Sequence, residues 1–120
     1  MRLLVLGVPH TQTNAIFNGC AFTQKVVKFL KMMSGRGHEI VHFGHELSVM
    51  PAPEIKHYTV VTDSDHRSAY GDDYVDQQSW RQHGFAHYYD VNDNVHKTFH
   101  KNTIDAINKI KQPNDLLLCF

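Results

Sequence analysis

Cysteine is scarce in this sequence: Cys20 and Cys119 are the only two among 120 residues, and no CxxC pair exists. A disulfide scaffold is excluded, and the plain reading is a reduced, cytoplasmic protein. Net charge is absent too, because twelve Lys and Arg balance twelve Asp and Glu. With no Lys/Arg-rich block either, an electrostatic nucleic-acid partner is not expected. Long apolar runs are missing: residues 3–6 and 116–120 are far too short to span a bilayer. Pro9 and His10 end the first apolar stretch before the core of a secretion signal can form. GxGxxG, GxxxxGK[ST] and GxSxG do not occur, which argues against a nicotinamide enzyme, a P-loop enzyme and an α/β-hydrolase. No cofactor is expected, and repeats, low-complexity tracts and linkers are lacking. The length suits one domain, residues 1–120, burying roughly 65% of the unfolded surface.

Histidine, by contrast, is abundant, with ten in the chain. They would charge between about pH 7 and 5.5 and make the surface acid-sensitive.

Apolar periodicity carries the fold. Leu3, Leu4, Val5 and Leu6 run into Gly7, Val8 and Pro9, as in a strand buried on both faces. Phe22, Val26, Phe29, Leu30 and Met33 then share one helical face, and Gly35 or Gly37 suits the left-handed residue that ends such a helix. Residues 39–43 read as a second strand and complete a βαβ unit. A third strand is expected at 58–62, followed by a short helix from the Asp63-Ser64-Asp65 cap to Tyr70. Residues 72–94 form a long excursion with one helical turn near 77–82. Val95, Phe99, Ala106, Ile107 and Ile110 mark a second long helix, closed by Pro113, and residues 115–120 a buried final strand. The fold class is therefore α/β: an open, Rossmann-like three-layer α/β/α domain with a mostly parallel sheet in the order 3-2-1-4. Ligands bind such sheets beyond the carboxyl ends of the strands, at the switch point between the first and fourth. That directs attention to residues 9–19 and to Phe120. The last strand has a bare apolar edge, which invites self-association through residues 115–120 and suggests a truncated domain of a longer fold.

Gly7-Val8-Pro9, Asn18-Gly19-Cys20, Val26-Val27-Lys28-Phe29-Leu30 and Arg36-Gly37-His38-Glu39-Ile40-Val41 together resemble the start of a GT-B glycosyltransferase. Asp115 and the five residues after it are similar to that family's later strand, while Cys20 stands where the family often has a second glycine. The resemblance implies the acceptor-side N-terminal domain of a two-domain enzyme, inactive alone. Its partners would be a nucleotide-sugar donor, held mostly by a missing C-terminal domain, and a sugar or glycan acceptor. His10, just past strand one, is the expected catalytic base or acceptor-binding group. Asn14, Asn18, Gly19, Cys20 and Phe120 are expected to bind substrate, with backbone N–H groups of the Asn18-Gly19 turn facing negative charge.

Other readings use other residues. A non-catalytic ligand-binding or regulatory Rossmann-like module needs no second domain. Metal binding would draw on the spacings His83/His87, His96/His100 and His42/His45. Spacing alone is weak evidence, and His96 and His100 read as solvated flank residues. Asp63, Asp65 and His66 form an acid–base constellation, with an acidic helix N-terminus as the plainer account of the two aspartates. Trp80, Phe85, Tyr88 and Tyr89 suit either stacking on a sugar ring or a small core under the loop. His38, at the far end of strand two, is assigned a structural role.

Overall fold

A computed structural model of the chain describes residues 1–75 and 90–120. Four strands, β1 (Arg2–Leu6), β2 (Glu39–His45), β3 (Lys56–Val61) and β4 (Leu116–Cys119), form one sheet in the order β3-β2-β1-β4. Every pairing is parallel. Three helices lie among the described residues: α1 (Ala21–Gly35), α2 (Asp63–Tyr70) and α3 (Asn94–Ile110). The expected α/β architecture and strand order are observed. The turn placed at 77–82, together with Trp80, His83, Phe85, His87, Tyr88 and Tyr89, lies outside the described residues.

β1 is apolar from Leu3 to Leu6 because both its faces are covered. Leu3 and Val5 pack with Val26 and Leu30 of α1 and with Ile40 and Ile55. Leu4 and Leu6 enter a second core with Val41, Phe43, Tyr70, Val95 and Phe99, which lies under α2 and α3. The sheet is thus the middle of three layers, as an all-parallel sheet requires.

Several local expectations shift. On α1 the buried face is Thr23, Val26, Leu30 and Ser34, and Phe22 is about half exposed with the Lys25 ammonium 5.2 Å from its ring centre. Thr23 joins the buried face because its hydroxyl finds a buried partner in the Thr11 hydroxyl, at 2.6 Å. Gly37, with φ of 82°, is the left-handed residue after α1. Thr62, not Asp63, caps α2: its hydroxyl accepts from the Asp65 N–H while Asp65 accepts from the Thr62 N–H. β4 is not buried as expected, since Leu116 and Leu117 are each about half exposed.

Candidate functional site at the carboxyl edge of the sheet

Among the described residues five histidines are buried. β1 delivers His10 through the loop that follows it, β2 carries His42 and His45, α2 carries His66, and α3 carries His96. Strand alternation then divides them. His42 alternates with Val41 and Phe43 and so lies on the α1 side, whereas His45 meets the rings of His66 and Tyr74 on the α2/α3 side.

On the α2/α3 side the protons can be placed. The Leu47 N–H donates to His45 Nδ1 at 3.0 Å, so the hydrogen of that ring sits on Nε2 and faces the Tyr74 hydroxyl at 3.4 Å. Gln12 Nε2 also donates to Tyr74, at 2.7 Å, and the Tyr74 hydroxyl donates to Asp63. The tyrosine oxygen therefore has both lone pairs and its hydrogen engaged. Arg67 bonds the other oxygen of Asp63 at 2.6 Å. The Tyr74 and Arg67 bonds hold the Asp63 carboxyl below its usual range, and burial next to that carboxylate pushes the Tyr74 phenol up.

Nearer the switch point, Asp93 caps α3 by accepting from the His96 N–H, and the same oxygen takes the His96 Nδ1–H at 2.8 Å. The Tyr70 hydroxyl donates to its other oxygen, also at 2.8 Å. Burial works against the Asp93 charge, but these bonds keep its pKa below the ordinary value. The His96 ring stacks on His10 with centres 5.7 Å apart. His66 Nε2–H donates to the Pro9 carbonyl at 3.1 Å, which ties α2 to the loop carrying His10. Nδ1 of His66 is then a bare lone pair, buried and without a hydrogen-bond partner among the described residues. Burial lowers His10, His45 and His66 to about 4, with neighbouring imidazoles adding to the effect at His10 and His66. All three are neutral at pH 7.

On the α1 side, His42 bonds Thr13 Oγ1 through Nε2 at 3.1 Å and His57 Nδ1 through Nδ1 at 2.9 Å. Burial, with His57 alongside, lowers His42 to about 3. Two glycines make room for the ring. A Cβ on Gly44 would lie 2.6 Å from His42 Cε1, and one on Gly7 would lie 3.0 Å from its Nε2.

The expected site residues therefore separate. His10 sits at the switch point, but it is 8% exposed and stacked on His96, which in turn is bonded to Asp93. Asn14 is a structural link: its Oδ1 caps the short 3-10 turn Ala15–Phe17, and its Nδ2 bonds Gln12 Oε1 and the Leu47 carbonyl. Asn18 and Gly19 are exposed, and nothing lies within 4 Å of a Cβ built on Gly19. Cys20 is the N-cap of α1 but makes no side-chain capping bond. Phe120 packs edge-on against Phe29 at 5.4 Å. Of the acid–base constellation, Asp65 is used for capping, while Asp63 and His66 join the buried network. His96 is buried rather than a solvated flank residue, whereas His100 is exposed, and His42 and His45 lie on opposite faces, so neither spacing forms a ligand pair. Among the described residues, no group of three or more His, Cys, Asp or Glu is arranged to hold a metal ion. None of their helices is long and apolar enough to cross a membrane. The missed residues Asp93 and Gly44 had signals in the sequence: an acid at a helix cap three residues before a histidine, and a glycine two residues after one inside an apolar strand.

Comparison of this chain with protein-family models, with curated proteins and with solved structures returned no match.

Proposed function

We propose that this chain is the acceptor-side domain of a GT-B glycosyltransferase, in which a sugar passes from a nucleotide-sugar to a hydroxyl held at the carboxyl edge of the sheet. The observation that carries this reading is the neutral His10 ring stacked on the Asp93–His96 pair at the switch point between β1 and β4. Substrates of parallel α/β sheets meet the protein at that edge. The groups gathered there accept protons: the imidazole of His10, the open Nδ1 of His66 and the carboxylate of Asp93. Such a lining suits a hydroxyl donor better than a phosphate or carboxylate.

In a transfer that inverts the anomeric centre, His10 takes the proton of the acceptor hydroxyl as its oxygen bonds the anomeric carbon and the bond to the diphosphate breaks. Asp93 offsets the charge that forms on His10. The leaving diphosphate is stabilised mainly by a second α/β half, and the reading places the protein in the cytoplasm. It also gives the open edge of β4 to another strand, from a second copy or from a longer chain. A non-catalytic ligand-binding module is the competing reading, favoured by the Tyr74 hub, whose protons are all engaged.

The test uses the protein at its full encoded length, a panel of nucleotide-sugars and glycan acceptors, and product detection by mass spectrometry. His10→Ala is expected to lower turnover about 10²- to 10⁴-fold, the usual contribution of a general base, with the circular dichroism spectrum unchanged. Wild-type turnover in that variant would remove His10 from the site, and hydrolysis or transfer of no donor at all would favour the binding module.

A further inference from the structure

The α1 side holds a chain of hydrogen bonds that is independent of any glycosyl transfer: Thr13 Oγ1, His42 Nε2, His42 Nδ1, His57 Nδ1, His57 Nε2 and Thr59 Oγ1, with gaps of 3.1, 2.9 and 3.4 Å. One hydrogen lies between the two Nδ1 atoms, so with both rings neutral only two arrangements exist. In the first, Thr13 donates to His42, His42 Nδ1–H donates to His57, and His57 Nε2–H points to Thr59. In the second every bond is reversed, and His42 Nε2–H donates to Thr13.

The two are not equal. Thr13 is 3% exposed, and among the described residues its hydroxyl oxygen bonds only His42. The second arrangement thus leaves a buried O–H donor without an acceptor, which is costly. The first satisfies every hydrogen and is the neutral state. Charging His57 removes the choice, because both its nitrogens then carry hydrogen and His42 Nδ1 must accept.

We propose that Thr13, His42 and His57 form a two-state relay in which protonation of His57, on β3, reverses the tautomer of the neutral His42 ring and frees the Thr13 hydroxyl hydrogen. Thr13 is well placed to pass this on, since it pins the loop after β1 to the one after β2: its N–H meets Ser48 Oγ at 3.3 Å and its carbonyl accepts from the Val49 N–H at 2.9 Å. His57 is half-buried and charges first, because His42 is fully enclosed. The groups that bear on His57 are His42 across the bond and His45 on β2, whose main chain favours the charged form against the larger effect of burial. Asp63 and Asp65 reach His45 from α2, and Lys56, next along β3, is paired with Glu39.

Long-range ¹H–¹⁵N correlation on histidine-labelled full chain, from about pH 8 down to the last pH at which the amide spectrum is native, reads both tautomer and charge for each ring. The expected result is a His42 ring that stays neutral and moves from Nδ1–H to Nε2–H with the midpoint of the His57 titration. In His57→Phe the His42 tautomer is expected to be independent of pH. A His42 tautomer that does not change, a His42 ring that charges together with His57, a switch that survives in His57→Phe, or unfolding before His57 charges would each overturn the relay. Should His57→Phe fail to fold, the wild-type titration decides alone.

Discussion

The two faces of the sheet use the same side chain in opposite ways. On the α2/α3 face, His45, His66 and His96 each have a proton direction set by a group that cannot reverse: the Leu47 N–H, the Pro9 carbonyl and the Asp93 carboxylate. On the α1 face, His42 and His57 meet each other and two threonine hydroxyls, all of which can donate or accept. Burial lowers the pKa on both faces, so desolvation does not distinguish them. Carboxylates do. Asp63 and Asp93 lie on one face only, and there the imidazoles are oriented and able to bear developing charge. On the other they are reversible. An imidazole takes its role from the partner that places its hydrogen, not from its depth.

Acid tests what the faces share. His10, His45 and His66 fall to about 4 and His42 to about 3, against 6.5 when unfolded. The unfolded chain therefore binds more protons than the native one between about pH 6.5 and 4, and stability is full above that window and falls as pH drops through it. At about 1 kcal/mol for each imidazole per pH unit, the loss from pH 6.5 to 5.5 is roughly 4 kcal/mol, a large part of an ordinary domain's stability. Urea unfolding at the two pH values measures it, and equal midpoints would show that these rings are not buried neutral.

The α1 face alone is addressed by Gly44→Ala, which drives a methyl into the His42 ring. A loss of about 2–3 kcal/mol is expected from this overpacking, while Gly19→Ala, which meets nothing, serves as the neutral control. Tyr74→Phe addresses the other face. It leaves Gln12, His45 and Asp63 each short of one bond, costs about 2 kcal/mol, and lets the Asp63 carboxyl rise toward its ordinary pKa. Denaturant midpoints rank the two variants, and carboxyl ¹³C shifts follow Asp63. Should Gly44→Ala be neutral, His42 is not confined as described and the contrast between the faces weakens.

Much of the architecture was legible in the residues. The apolar run of β1, the helix-ending glycines near position 37 and the position of Pro113 suffice for element order and for a parallel sheet ordered β3-β2-β1-β4, because backbone hydrogen bonding and two-sided burial leave few ways to arrange them. His10 beyond β1 was legible for the same reason. The site around it was not. Asn14, which looked like a ligand group, spends its amide on a cap and a carbonyl, and His96, which looked like a solvated flank residue, is enclosed beside His10.

The sequence by itself thus determined the layers and the order of the strands, since these follow from periodicity along the chain. Only the tertiary structure decided which of ten histidines meet one another, which carboxylates face them and where each hydrogen sits. Those facts depend on contacts between residues as far apart as Pro9 and His66, and on a one-residue alternation that sends His42 and His45 to opposite faces of the same strand.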